Sequence, residues 1–252
     1  MQGLKHYIDF LWAMTEKEIK ARYKRAVFGF LWVVLNPVLQ MIIIGVIFSF
    51  FIKVPNYFLF LLVGLLPWQF FSISLSKATP SIVYERSLLQ KAKFPIETIP
   101  ISLILANFFN MTVSLVILFF LLGFLNKLMF PQILLVVPAL IWLLAFTIGL
   151  SLLTASLQVR FRDINFFVQT LLILWFYATP VLYTLSLIPK TLYPLFAINP
   201  LTSIFEIMHL SLLDQGVVNN QIVFLNLSTS VLVIFVGIFI YKRKNKFFVD
   251  WL

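Results

Sequence analysis

Six stretches of this chain, at roughly 30–52, 58–76, 98–125, 132–157, 166–188 and 222–241, run apolar without a single charged residue. A hydrocarbon core of ~30 Å takes about 20 helical residues to cross, so each run is long enough to be a membrane span. Strands of a membrane barrel would alternate apolar and polar positions over about ten residues, whereas these runs are continuous for twice that length. Composition agrees: 62% of the residues are hydrophobic and 11% charged, and the mean hydropathy is +1.02. A water-soluble core of 252 residues cannot hide that much apolar surface. The expected fold class is an all-α integral membrane protein with six transmembrane helices. The chain contains no cysteine, which excludes disulfides and thiolate metal sites. Lys5, Asp9, Glu16 and Lys17 occupy the region where a signal peptide needs its apolar core, so no cleaved leader is expected.

Positive charge orients the spans. Of the 19 Lys and Arg, 16 fall in residues 1–29, 77–97, 158–165 and the tail after 241, and three (Lys53, Lys127, Lys190) fall in the other connections. By the positive-inside rule both termini and the connections 77–97 and 158–165 are cytoplasmic. The net charge of +10 then faces the anionic inner leaflet, and no nucleic-acid partner is needed to account for it. The stretch QVRFRDIN (158–165) reads as a solvated turn that anchors topology; burying it would flip the remaining spans and put KRKNK (242–246) outside. Arg160 and Asp163, spaced i, i+3, would pair if the helix continued through them.

None of the nine acids lies in the middle of a run, so the ionisable groups with which ion-coupled transporters carry their driving ion are missing at depth. There is no G-x-x-x-x-G-K-[ST] to cradle a phosphate, no G-x-S-x-G and no H-E-x-x-H. An intrinsic enzyme would have to be built on Glu206 and His209, one helical turn apart, a pair more often found on an amphipathic face. If the protein moves something uphill, the energy comes from a partner.

Several segments outside the runs are more than loops. Residues 4–23 place Leu4, Ile8, Leu11, Trp12, Ile19 and Tyr23 on one helical face, an amphipathic helix lying in the membrane interface. In YERSLLQKAKFPIETIP (84–100), Leu88, Leu89 and Ala92 make an apolar patch between charges and Pro95 stops the helix; such a helix suits docking into a groove on a partner. The run LTSIFEIMHLSLL (201–213) is only ~20 Å long as a helix, too short to cross. Residues 189–221 are therefore expected as two short re-entrant helices, roughly 190–198 and 200–213, broken at Asn199-Pro200 and forming a gate on the external side. Ala145, Gly149, Ser151 and Ala155 mark a face for close helix contact, and Asn36 with Gln40, Ser72 with Ser76, and Asn107 with Asn110 mark faces that prefer protein to lipid. Pro67, Pro138 and Pro180 are expected to kink their helices, and Trp12, Trp68 and Trp251 to sit in interfacial belts.

KARYKRAVFGFLWVVLNPVLQ (20–40), LLQKAKFPIETIP (88–100), QVRFRDINFFVQTLLILWFYATPVLY (158–183) and AINPLTSIFEIM (197–208) resemble the signature stretches of the type-2 ABC permeases that export bacterial polysaccharides. The resemblance runs in order over essentially the whole chain. It implies a single transmembrane domain, 1–252, of a homodimer in the bacterial inner membrane, with two cytosolic ATPase subunits that bind the ATP and Mg. No cofactor is expected in this chain itself. Within that domain, 1–29 is the interface helix, 30–188 holds spans one to five, 189–221 the external gate helices with Asn199, Pro200 and Glu206, and 222–252 the last span and basic tail. The segment 84–95 resembles the coupling helix, with Glu85, Arg86, Leu88, Leu89 and Lys91 as its contacts; Arg160, Arg162 and Asp163 form a second cytoplasmic contact. Arg22, Lys24 and Arg25 stand at the entrance for the diphosphate head group of a lipid-linked glycan, which is the implied substrate. O-antigen, capsule and teichoic acid remain open within the family. A passive channel or scramblase would differ in needing no ATP, and an enzyme on lipid-linked sugars would differ in needing Glu206 and His209.

Overall fold

The computed structural model describes residues 2–24, 27–91, 94–125, 132–189 and 191–248, and all regular structure among them is helical. In chain order the helices are α1 (Gln2–Tyr23), α2 (Trp32–Phe48), α3 (Tyr57–Tyr84), α4 (Arg86–Lys91), α5 (Thr98–Phe124), α6 (Val136–Arg160), α7 (Ile164–Tyr177), α8 (Tyr193–Ile198), α9 (Thr202–Leu213) and α10 (Asn220–Lys244). Short 3-10 turns, Gly29–Leu31 and Gln132–Leu135, lead into α2 and α6.

Among the described residues, five helical segments are long and apolar enough to cross a membrane: Gly29–Phe48, Tyr57–Tyr84, Thr98–Phe124, Gln132–Arg160 and Asn220–Phe247. The run expected as the fifth of six spans, 166–188, behaves differently. Its helix, α7, has 14 residues, a length of ~21 Å, and stops at Tyr177. Pro180 supplies the reason, because it lacks an N–H and disfavours helical backbone at the residue before it. The freed groups are satisfied locally: Thr179 Oγ1 donates to the Trp175 carbonyl at 2.8 Å and Asn199 Nδ2 to that of Ala178 at 2.9 Å. Pro180 thus ends a helix where a kink was expected. Pro138 lies in the first turn of α6, where no intrahelical bond is lost and no kink is required. Pro67 is inside α3 as expected, joined there by Pro80, and Pro37 is inside α2.

α3 is the central helix. Phe60, Leu61, Phe71, Ala78 and Ile82 are fully buried along its length, with α5 and α6 packed on it and α2, α7 and α9 beside it. Trp68 accordingly does not sit in an interfacial belt: it is buried, with ring centroids of Phe71 at 5.7 Å and Phe176 at 5.3 Å. An apolar residue facing protein and one facing lipid look the same to hydropathy, which is why the sequence misplaces it. Trp12 does lie exposed on α1, and Trp251 falls outside the described residues. α3 also runs eight residues past the expected end of its span, so Lys77, counted with the 77–97 connection, belongs to the helix.

α6 and α10 meet backbone to backbone. A Cβ built on Gly149 would come within 2.5 Å of the Ile234 Cα, and one on Gly237 would fall on the Gly149 carbonyl. The buried positions of α10, Asn226, Ser230, Gly237 and Tyr241, are mostly small or polar. This is the packing by which membrane helices associate without a hydrophobic driving force between them.

Candidate functional site

One face of α3 is polar. Gln69, Ser72, Ser76 and Lys77 follow one another at helical spacing and border three cavities of about 310, 410 and 550 Å³. Neighbouring helices answer with amides: Gln69 Nε2 donates to Gln40 Oε1 of α2 at 3.0 Å, and Gln169 Nε2 of α7 to Ser76 Oγ at 2.5 Å. Gln40 also donates to Asn36 at 3.4 Å, the pair expected from their spacing. From α5, Asn107 and Asn110 face the first cavity, both buried. Lys77 lies at the meeting point of all three cavities. Gln69 is a candidate site residue that the sequence reading passed over, and Lys77 one that charge counting assigned to the connection after the span. Their signal in the sequence is polar side chains on one face of an otherwise apolar helix.

α1 packs against α5 and carries the expected head-group residues to this face unequally. Arg22 lines the first cavity and donates from Nη2 to Asn107 Oδ1 at 2.6 Å; Asn107 Nδ2 in turn donates to Ser74 Oγ at 3.0 Å. Tyr23 shares that cavity, and burial raises its phenol above the usual value while the neighbouring Arg22 charge pulls it back. Lys24 is exposed and lines none of these three cavities. Arg25 lies outside the described residues.

On the side of the C-terminal end of α3, Glu85 follows directly as the C-cap, and α4 spans six residues of the expected 84–95 helix. Arg86 is exposed, Glu85 and Leu88 are half-buried, and Leu89 packs inward beside Ile82, Leu152, Val159 and Tyr241. Leu89 is thus committed to the bundle. The side chain of Lys91 is outside the described residues. Arg160, Arg162 and Asp163 lie on an exposed turn. The helix does not continue through it: Phe161 is extended, with φ −119° and ψ 101°, so the stretch is the exposed turn that was expected and the condition of a continued helix is not met. Arg160 instead sits over the Phe161 ring at 5.2 Å, and the turn is stapled by Gln158 Oε1, which accepts the Asn165 N–H at 2.7 Å.

At the α8–α9 break, Asn199 is buried and uses both ends of its amide. Its Nδ2 donates to the Ala178 carbonyl and to Thr179 Oγ1, both at 2.9 Å; its Oδ1 accepts from Trp175 Nε1 at 2.8 Å and from the Leu201 N–H at 3.1 Å. Pro200 beside it is half-buried. Glu206 is 1% exposed and accepts the Leu185 N–H at 3.2 Å and the Val217 N–H at 2.5 Å. These bonds hold α9 to the chain before α8 and the chain before α10. His209 is turned to other partners: its Nε2 is 3.1 Å from the Phe60 carbonyl and its ring stacks on Phe60 at 3.8 Å. Glu206 and His209 thus bond to different partners, and both are buried where an amphipathic face was expected.

Comparison with known proteins agrees with this architecture. Residues 9–213 match the ABC-2 type transporter membrane family. The chain is 36% identical over 217 residues to the O-antigen export system permease protein RfbA of Myxococcus xanthus, covering 81% of this chain and 80% of that protein. Two proteins of the same name from Klebsiella pneumoniae are 33% identical over 260 residues and 31% over 261, each covering 97% of this chain and 96% of its own length. Bundle, polar face and similarity over most of the length lead to one assignment: the chain belongs to the ABC-2 type transporter permeases, as a transmembrane subunit whose family works in a membrane with an ABC ATPase partner.

Proposed function

We propose that this chain is the transmembrane subunit of an ATP-driven exporter that moves an O-antigen-like, lipid-linked polysaccharide from the cytoplasmic side across the bacterial inner membrane. The relatives named for O-antigen export support that substrate class. The observation that carries the route is the polar face of α3, which α2 and α7 flank with Gln40 and Gln169. A strip of amides and hydroxyls in an apolar bundle offers hydrogen bonds to successive sugars without fixing a sequence, as a long glycan requires. Two copies of the chain, each one domain over 1–252, enclose the pathway between them.

Six crossings fit the reading: α7 reaches across together with the non-helical stretch that follows it, and α8 and α9 dip into the membrane as the external gate around Asn199, Pro200 and Glu206. Both termini are then cytoplasmic, with the basic side of the protein toward the anionic leaflet. Two cytosolic ATPase subunits bind ATP and Mg and push on 84–95 through Glu85, Arg86 and Leu88, with Lys91 at the edge of the contact and Leu89 anchoring the helix from within. Arg160, Arg162 and Asp163 form the second contact, and Arg22, Lys24 and Arg25 receive the head group.

The test is reconstitution. With its ATPase in proteoliposomes, the complex is expected to move a lipid-linked glycan only when ATP is hydrolysed, and the permease alone to show no ATPase activity. Transport without ATP would make the protein a passive channel and overturn the reading.

A further inference from the structure

The first cavity, between α1, α2, α3 and α5, contains a combination that the bundle itself does not use. Arg22 and Lys77 both line it, near enough for their charges to oppose each other, and no carboxylate is among the described lining residues. Glu18 acts on Lys77 from the adjoining cavity. Lys77 lies seven residues before the end of α3, about 10 Å along the helix axis, and an ionisable residue within a membrane helix marks a functional site by default. Arg22 is held from behind: Asn107 takes one N–H and is itself fixed by Ser74, and Tyr23 lies against the guanidinium as well, which leaves the other donors of its five-donor fork for a ligand oxyanion. The cavity also presents an acceptor. Asn110 is nine-tenths buried, lines the cavity, and its Oδ1 has no hydrogen-bond partner.

We propose that this cavity is a binding site for the junction between phosphate and sugar in a glycosyl diphosphate lipid, with Arg22 and Lys77 taking the diphosphate and Asn110 accepting from a hydroxyl of the first sugar. The proposal rests on the exporter reading and narrows it, since it moves the head-group site from the exposed end of α1 to a cavity inside the bundle and adds a residue on α3. Two cations alone would suit any anionic lipid. The buried acceptor beside them selects a hydroxylated ligand, because a bare phosphate leaves Asn110 Oδ1 unsatisfied.

The experiment uses the full permease–ATPase complex in neutral phosphatidylcholine nanodiscs and measures binding of a short-chain prenyl diphosphate carrying one sugar, the same prenyl diphosphate without the sugar, and phosphatidylglycerol. Lys77→Gln and Arg22→Gln are each expected to weaken both diphosphates by about tenfold or more, the loss of one charge-assisted contact. Asn110→Ala is expected to weaken only the glycosylated probe, and Lys20→Gln, a charge removed from the exposed face of α1, to change neither. Arg22→Lys, which keeps the charge and loses the fork, gives an intermediate loss and guards against misfolding as the cause. If glycosylated probe binds the wild type and binds the two charge variants equally, the site is elsewhere, while the exporter reading stands on its ATP-dependent transport. Equal competition by phosphatidylglycerol overturns the proposal in favour of a bulk-lipid site. A wild type that neither binds the probe nor transports overturns both.

Discussion

Asn199 gives the α8–α9 break its shape through two donated and two accepted hydrogen bonds. Removing the amide leaves the Trp175 and Leu201 N–H groups without their partner in a buried place, and each such loss costs about 1–3 kcal/mol. Asn199→Ala is therefore expected to lower the thermal unfolding temperature of the detergent-solubilised protein measurably; Pro200→Ala, which removes no hydrogen bond, should have a much smaller effect. An Asn199→Ala protein as stable as wild type would mean that these bonds do not hold the break. The Asn-Pro pair was legible because proline punctuates sequence in a fixed physical way. Three of the four partners of the asparagine were not legible, since Trp175, Ala178 and Thr179 lie 20 or more positions away. Lys77 was misread for a related reason: charge at the end of an apolar run signals a connection, and only the packing of α3 against α5 reveals that the helix goes on. Glu206 and His209 are near in sequence and separate in partners, and what the spacing could not show is that both are buried rather than on an amphipathic face.

At the scale of elements, hydropathy marked each apolar run but reports only separation from water. It distinguished neither the 28 residues of α3, walled by protein, nor the early stop of α7 from an ordinary span. Small-residue patterning was more informative, because Gly149 was expected at a close contact and it makes one with α10. Gly237→Ala places a methyl against the Gly149 carbonyl, and overpacking of this kind costs about 1–3 kcal/mol. The variant is expected to lose thermal stability and to recover part of it only where α6 and α10 can separate; an unchanged melting profile would show that the contact yields freely. Exposed Arg86 on α4 makes a different prediction. Arg86→Glu is expected to leave the permease folded and to lower ATP hydrolysis by the complex about tenfold, as loss of complementary charge at a docked surface does. Leu89→Ala should instead reduce stability, because Leu89 packs on the cluster around Ile82; equal behaviour of the two variants would argue against this division.

For the whole molecule, the glycine contact and the exposure of α2 have a mechanical meaning. Where backbones touch at Gly149 and Gly237, little side chain lies between them to re-pack, and α6 with α10 is expected to move as a single stiff unit. α2 buries only Pro37 and Gly45, and a Cβ on Gly45 would meet merely the turnable ring of Phe58. Its other ties to α3 at the polar face run through long, adjustable amides. Freedom of movement is thus allotted unequally: α2, which rests on α3 and α5, is expected to shift more readily than the α6–α10 pair. Since the chain has no cysteine of its own, spin labels can be introduced in pairs on a silent background. Distances across α6 and α10 should hold steady through the ATP cycle, while those between α2 and α6 change. A bundle that moved with all its distances preserved would have to open between protomers as rigid halves.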